Sequence, residues 1–201
     1  GGGIFANGAS NTNKNAIMNI HNSIINNNEA TASGGGIYMW HAVGTIYNTT
    51  IDNNQAIGGT FRNGGGMNIY DSDVTIKNTI ISNNKVIGSG GGLSISQTFT
   101  MYTEQKPVVD WNAGDTTVIL RQTSFINNDA SKGADEILTM GSPTMSLINT
   151  DFNNPNTNID IYAADGPPKW KTCSNNLCTE KPFTGTCHET NNNNYNVGVA
   201  C

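Results

Sequence analysis

The chain has 201 residues, a net charge of −5 and a charged fraction of only 12%, while 32 asparagines and 23 glycines dominate its composition. So low a charge excludes a solvated disordered tail and a coiled coil, and the ten Lys and Arg residues form no basic patch for nucleic acid. No apolar run approaches the roughly 18 residues of a membrane-spanning helix, so we expect no transmembrane segment.

Glycine triplets recur along the first half of the chain, at residues 1–3, 34–36, 64–66 and 90–92. Their starts are 33, 30 and 26 residues apart, and an alternating run such as Ile37–Trp40 follows each later triplet. Such runs predict short strands. Because the pattern is already under way at Gly1, with no signal peptide before it, we interpret the chain as a mature piece or fragment of a longer protein.

A second repeat lies between the triplets and is anchored on Ile25, Ile51, Ile81, Phe125 and Phe152. Aliphatic residues stand five positions before each anchor, amides three before and hydroxyls two before, a sorting that compositional bias would not produce. Asparagine also follows every anchor at the second position, and we expect these residues to stack as a structural ladder: Asn27, Asn53, Asn83, Asn127 and Asn154. The third position after the anchor holds asparagine four times and then Pro155.

The period of about 26–30 residues, with two or three short strands in each unit, is too short for a propeller blade and shows no helical spacing. It predicts an all-β fold: a right-handed, single-stranded parallel β-helix of about six coils over residues 1–165. Equivalent residues would then stack about 4.8 Å apart, and stacked amides would satisfy buried polar groups at the bends. We therefore expect Asn48, within the glycosylation sequon Asn48-Thr49-Thr50, to be buried and unmodified.

The paired motifs Gly34-Gly35-Gly36-Ile37 and Ile51-Asp52-Asn53-Asn54 resemble the repeats of polymorphic outer membrane proteins and related β-helical adhesins. The resemblance covers roughly residues 1–165 and implies a pectin-lyase-like right-handed β-helix that acts at a cell surface in adhesion or display. The chain departs from that pattern in a degraded fifth triplet and in an insertion near residues 97–115.

Aromatic side chains provide the candidate binding residues. Tyr38, Trp40 and Tyr70 fall at outward positions of two successive strands, with Trp40 and Tyr70 stacked, while Tyr102 and Trp111 lie in the insertion. Such rings grip a sugar or a protein partner. The alternative is that the insertion is a packing flap that covers an apolar patch, and the sequence does not decide between a flap and a binding loop.

A search for catalytic residues finds no complete set. Asn149-Thr150-Asp151 matches one motif of the polysaccharide hydrolases with this fold, but its first two residues belong to the structural columns and the other motifs are absent. The carboxylate pairs Asp71/Asp73 and Asp135/Glu136 fall at expected turns, and His21 and His41 at expected solvated positions. We therefore expect no enzyme activity, no cofactor and no metal site.

Four cysteines stand in the last 30 residues: Cys173, Cys178, Cys187 and Cys201. They suggest two disulfides and an oxidising compartment, with all three pairings open and free thiols in a cytosolic protein as the alternative. After the breaker Gly166-Pro167-Pro168, residues 166–201 form a Cys-rich segment that would cap the solenoid or dock onto another subunit.

The sequence therefore favours a non-enzymatic, secreted protein of the extracellular space or cell surface with a structural or adhesive role, as an adhesin, filament subunit or rigid spacer. Its partners would be other protein subunits or a cell-surface protein or glycan, and it would assemble as a homo-oligomer or filament. The alternative is a carbohydrate-binding or polysaccharide-degrading β-helix protein.

Overall fold

The structure is a computed structural model. It describes residues 1–8, 16–58, 62–97, 102–103, 106–107, 116–132, 135–140, 143–153, 161–163, 169–174 and 177–182. These residues form strands and turns and contain no helix. The strands are mostly parallel and stack as a β-solenoid of about four turns, which confirms the predicted all-β, parallel architecture.

Each of the first four turns contributes a strand to all four sides of the solenoid. The first turn holds β1 (Ile4–Asn7), β2 (Ala16–His21), β3 (Ile24–Asn26) and β4 (Glu29–Ala30). The second holds β5 (Ile37–Trp40), β6 (Ala42–Tyr47), β7 (Thr50–Asp52) and β8 (Gln55–Ala56). The third holds β9 (Met67–Tyr70), β10 (Asp73–Lys77), β11 (Ile80–Ser82) and β12 (Lys85–Val86).

The fourth turn is interrupted by a small hairpin. It holds β13 (Leu93–Ser96), the antiparallel pair β14 (Tyr102–Thr103) and β15 (Lys106–Pro107), and then β16 (Thr117–Arg121), β17 (Ser124–Ile126) and β18 (Asp129–Ala130). Six more strands follow: β19 (Ile137–Met140), β20 (Thr144–Ile148), β21 (Asp151–Asn153), β22 (Ile161–Ala163), β23 (Lys169–Ser174) and β24 (Leu177–Pro182).

In the described ranges, four sheets run along the solenoid. The first sheet has the order β1-β5-β9-β13-β19-β22, and the second has the order β2-β6-β10-β16-β20-β23-β24. The third sheet runs β3-β7-β11-β17-β21, and the fourth runs β4-β8-β12-β18. Pairing is parallel throughout these sheets except between β23 and β24. The segment expected to act as a cap is thus joined to the second sheet through β23.

The aliphatic columns form the core. The residues five positions before the anchors pair in register and lie inside: Ile20, Ile46, Ile76, Leu120 and Leu147. The anchors pair in the same way, and the rings of Phe125 and Phe152 stack 5.3 Å apart. Each fully buried side chain of this size contributes roughly 1.5–3 kcal/mol of transfer free energy, so the repeated columns are the main source of stability.

Amide residues at one corner of the solenoid are exposed, which corrects the expectation that Asn48 is buried. This column adopts a left-handed backbone with φ between 48° and 50°, and its members are Asn22, Asn48, Asn78, Gln122 and Asn149. Asparagine tolerates this conformation better than most residues do. The bend turns the amide outward and brings the next residue inside, so Asn48 is exposed and its Nδ2 donates to Asn22 Oδ1 at 2.8 Å.

The residues expected to form the ladder occupy a second exposed corner. Asn27, Asn53, Asn83 and Asn127 stand one above another with φ between 51° and 55°, whereas Asn154 lies outside the described residues. Asn53 Nδ2 donates to Asn27 Oδ1, while Asn83 Nδ2 donates to Asp52 Oδ1. These asparagines therefore line up along the outside and support the bend.

The buried amide ladder is the next column, and it repeats one bonding pattern. The backbone N and the Nδ2 of Asn54 both donate to Oδ1 of Asn84, at 2.9 and 3.0 Å, and Asn54 Nδ2 also donates to the carbonyl of Ile25. Asn28 makes the corresponding pair of bonds to Asn54, and Asn84 makes it to Asn128. Each buried amide thus satisfies groups in two other turns, which meets the requirement that buried polar groups be paired.

Hydroxyl and glycine residues complete the bends. The side chains of Thr49, Thr79 and Thr123 are buried, and each donates to the backbone carbonyl two residues earlier at 3.0–3.1 Å. The first glycine of the triplet has φ of 71° at Gly64, a conformation that L side chains rarely adopt. The third packs against the amide ladder, since a Cβ at Gly66 would lie 2.9 Å from Asn84 Nδ2.

Candidate binding face

The outer face of the first sheet carries the candidate site. Ile37 and Met39 point into the core, so the alternating residues of β5 and its neighbours point outward. One outward column pairs Phe5, Tyr38, Asn68 and Ser94 in register. The other pairs Asn7, Trp40, Tyr70 and Ser96. The rigid register of four parallel strands therefore sets the spacing of every side chain on this face.

Four aromatic rings form a patch on the first three strands of that face; we call Phe5, Tyr38, Trp40 and Tyr70 the aromatic patch. The rings of Phe5 and Tyr38 lie 5.2 Å apart at an interplanar angle of 32°. Trp40 and Tyr70 meet edge to face, 6.1 Å apart at 84°. Phe5 is 54% exposed and Trp40 is 38% exposed, so the patch offers apolar ring surface to a partner.

Polar groups border the aromatic patch at the corner that follows each strand. His41 and Asp71 have left-handed backbones at equivalent places in successive turns, and the His41 ring lies 5.5 Å from that of Trp40. His41 is only 7% exposed, which corrects the expectation that it is solvated, because the ring of Trp40 packs against it. Asp71 is 1% exposed. Burial raises the pKa of Tyr38, and Tyr70 and Asp71 add to the rise.

Beyond the patch the same face becomes polar and buried. Asn68 is 5% exposed and Ser94 is fully buried, although both stand at outward positions. Within the described part of the chain, Asn68 Oδ1 and Ser94 Oγ have no hydrogen-bond partner. Buried polar atoms without partners are rare in folded proteins, and they commonly mark a place that water or a ligand fills.

The structure brings together three of the five predicted binding residues, Tyr38, Trp40 and Tyr70. Tyr102 belongs to β14 in the insertion, where only the backbone is described, and Trp111 lies outside the described residues. Phe5 was not among the predicted binding residues, although it follows a glycine triplet at the same distance as Tyr38. The burial of Asn68 and Ser94 on this face has no signal in the sequence.

Two of the carboxylates considered for catalysis, Asp73 and Asp135, accept hydrogen bonds from the backbone. Asp73 Oδ1 accepts from the backbone N of Thr117 at 2.9 Å, and Asp135 Oδ1 accepts from that of Ala130 at 2.8 Å. In the motif at residues 149–151, the Thr150 hydroxyl donates to the carbonyl of Leu120. Among the residues that the structure describes, no three His, Cys, Asp or Glu side chains are grouped to hold a metal ion.

Comparison with known proteins finds no match to this chain. No family model matches it, and neither does any curated protein or solved structure. Within the ranges that the structure describes, no helix is long and apolar enough to cross a membrane.

Proposed function

We propose that this chain is a non-enzymatic, secreted surface protein in which a rigid β-solenoid presents the aromatic patch to a binding partner. The adhesin, filament-subunit and rigid-spacer roles all require a rigid scaffold, and the buried columns supply it by holding the turns in register. The observation that carries the proposal is the register-fixed pair of the exposed Trp40 and the half-buried Tyr70 on this scaffold. The partners would be other protein subunits, including further copies of this chain, or a cell-surface protein or glycan.

Rigidity supports this role. A side chain on a sheet that is hydrogen-bonded on both edges loses little conformational entropy on binding, so more of the contact energy appears as affinity. β5 and β9 are paired on both edges, to β1 and to β13. Trp and Tyr are the residues most often found at the energetic centres of protein interfaces. The aromatic patch therefore has both the composition and the support expected of an adhesive surface.

The proposal also includes the handedness of the solenoid, its number of coils and the location of the protein. We expect a right-handed solenoid, because parallel crossover connections are right-handed in about 98% of cases. β19 to β23 continue the first three sheets beyond the fourth turn, which supports about six coils. The likeness to polymorphic outer membrane protein repeats supports an extracellular or cell-surface location, and so do the four cysteines at the end of the chain.

The test is adhesion of the whole chain, coupled to beads, to epithelial cell layers and to immobilised matrix proteins. We expect Trp40→Ala and Tyr70→Ala each to weaken attachment about 30-fold, the equivalent of a 2 kcal/mol hot spot. Ile17→Ala is the matched control, since Ile17 is 75% exposed on the second sheet. Unchanged attachment by both patch variants, with melting curves like that of the parent chain, would show that the patch is not the adhesive surface.

A carbohydrate-binding or polysaccharide-degrading role is the second candidate, and its binding form is favoured by Asn68 Oδ1 and Ser94 Oγ, which have no hydrogen-bond partner among the described residues. Sugars stack on aromatic faces and offer hydroxyl groups to acceptors beside them. A glycan array would reveal such binding, with Trp40→Ala as the negative variant. Release of reducing sugar from a polysaccharide, abolished by Asp71→Asn or Asp73→Asn, would instead show an enzyme.

A further inference from the structure

The two strands β23 and β24 form an antiparallel hairpin at the end of the second sheet. Their register runs from Lys169 opposite Pro182 to Ser174 opposite Leu177, and it places Cys173 directly opposite Cys178. Only two residues of the sequence, 175 and 176, connect the strands. Both are asparagine, a residue that suits the two-residue turns of hairpins.

The distance of the two cysteines from the turn determines whether they are a hydrogen-bonded or a non-hydrogen-bonded pair of the antiparallel ladder. In a hairpin with a two-residue connection, the pair that closes the turn exchanges hydrogen bonds across the strands, so the next pair along does not. Ser174 and Leu177 close this turn, and Cys173 and Cys178 are therefore a non-hydrogen-bonded pair. Such pairs have Cα atoms about 4.5 Å apart. A disulfide usually has a Cα separation of about 4.4–6.8 Å, so a pair of this kind is compatible with one.

We propose that Cys173 and Cys178 form a disulfide across this hairpin. Within the part of the chain that the structure describes, the strand register sets these two cysteines directly opposite each other. The two thiols lose two protons and two electrons by exchange with an incoming disulfide, from an oxidoreductase or a small-molecule disulfide, which is reduced to two thiols. The proposal does not depend on the adhesive function.

The bond would fix the strand that covers the edge of β23. β23 pairs in parallel with β20, while β24 pairs antiparallel with β23 and is the last of the described strands in the second sheet. An open parallel edge is a template for pairing with other chains, and proteins protect such edges by covering them. A disulfide one pair away from the turn keeps β24 on β23, so the sheet ends on a short hairpin.

The experiment is a disulfide map of the whole chain, secreted from a eukaryotic host and alkylated before denaturation. Trypsin cuts after Lys171 and the protease Glu-C cuts after Glu180 and Glu189, so the cysteines are divided among peptides 172–180, 181–189 and 190–201. We expect peptide 172–180 to appear by itself, with both cysteines resistant to alkylation until it is reduced. Its linkage to either later peptide, or free thiols at both positions, would overturn the proposal.

Two double variants separate this bond from the rest of the segment. The Cys187→Ser, Cys201→Ser variant should retain the bond within peptide 172–180. The Cys173→Ser, Cys178→Ser variant should retain any bond between peptides 181–189 and 190–201. If the first variant instead shows free thiols at Cys173 and Cys178, the hairpin register does not direct the pairing and the proposal is wrong.

Discussion

Glu136 accepts a hydrogen bond from Nδ2 of Asn128, and its carboxylate takes the place that the next asparagine of the buried ladder would hold. In each earlier turn, the acceptor for this amide is another asparagine, but the repeat has Pro155 where that residue is due. Glu136 itself stands where the earlier turns have the third glycine of the triplet. The two departures from the repeat therefore compensate each other, and the last amide of the ladder keeps a partner.

We predict that Glu136→Ala lowers the free energy of unfolding by about 1–3 kcal/mol, because it leaves a buried amide donor without this acceptor. Glu136→Gln retains an acceptor oxygen and should cost less. Denaturant unfolding followed by circular dichroism would measure both. The control is Glu29→Ala, since Glu29 is exposed and its carboxylate accepts a hydrogen bond from Nε2 of the half-buried Gln55, so its effect should stay within about 0.5 kcal/mol. Equal losses in the Ala and Gln variants would contradict the assigned role.

The neighbouring asparagines Asn83 and Asn84 should differ sharply in their importance to stability. Asn84→Ala removes the acceptor of two bonds from Asn54 and the donor to the carbonyl of Ile51, all of them buried. We expect a loss of at least about 2 kcal/mol in the free energy of unfolding.

Asn83→Gly is the matched control for that variant. Asn83 is exposed with φ of 52°, which glycine adopts without strain, so the free energy of unfolding should change by less than about 0.5 kcal/mol. The same denaturant titration serves both variants. If Asn83→Gly proved as destabilising as Asn84→Ala, the exposed asparagine column would contribute as much to the free energy of unfolding as the buried ladder, which would contradict this prediction.

Tyr38 should ionise at a higher pH than an ordinary tyrosine, because burial raises its pKa above the usual 10.0 and Tyr70 and Asp71 add to this. Above pH 10.0 the unfolded chain loses the proton first, so this contribution to stability is complete below that pH and declines as pH rises towards the folded pKa. Ultraviolet titration of phenolate absorbance checks the shift. Tyr38→Phe should remove a component of the absorbance change that appears above pH 10.0, and Asp71→Asn should shift that component to slightly lower pH.

We predict that a eukaryotic secretory host attaches an N-linked glycan to Asn48. The sequon is present, and the side chain is exposed at a corner of the solenoid, so the folded chain can accommodate the sugar. A mass shift reversed by a peptide N-glycosidase would show the modification, and Thr50→Val should abolish it.

A second sequon in the same column provides the positive control for Asn48. Ile80→Thr creates one at Asn78, which is also exposed and has the same φ of 49° as Asn48. We expect this variant to carry two glycans. If Asn78 is modified in it while Asn48 never is, exposure at this corner is not what decides acceptance.

Much of this fold could be predicted because the repeat sorts residues by chemistry. Aliphatic anchors such as Ile51 and Ile81 recur at a spacing that brings them into register, and the structure pairs them as expected. The direction of the amides was harder to predict, because period alone does not tell an inward column from an outward one. Only the left-handed backbone at Asn48 turns that amide out and the next residue, Thr49, in.

The candidate site was predicted only in part, for a related reason. Alternation along β5 and β9 was sufficient to place Tyr38, Trp40 and Tyr70 on one face. The burial of His41 and Ser94 depends on what packs against that face, and neither residue carries a local pattern that would indicate it. Short-range periodicity thus predicts which side of a sheet a residue occupies, while contacts made across the surface decide whether it meets solvent.

In the fourth turn 20 residues separate Ser96 from Thr117, against two between Tyr70 and Asp73 in the third, and the strands on either side stay in register. β13 is in register with β9 and β19, and β16 is in register with β10 and β20. The solenoid therefore accepts an insertion of this length at one bend without a change in the register of its strands. The length of the loop is independent of the geometry of the scaffold. The same bend is a natural point for grafting a foreign peptide, and evolution could lengthen or replace the loop there while every strand keeps its neighbours.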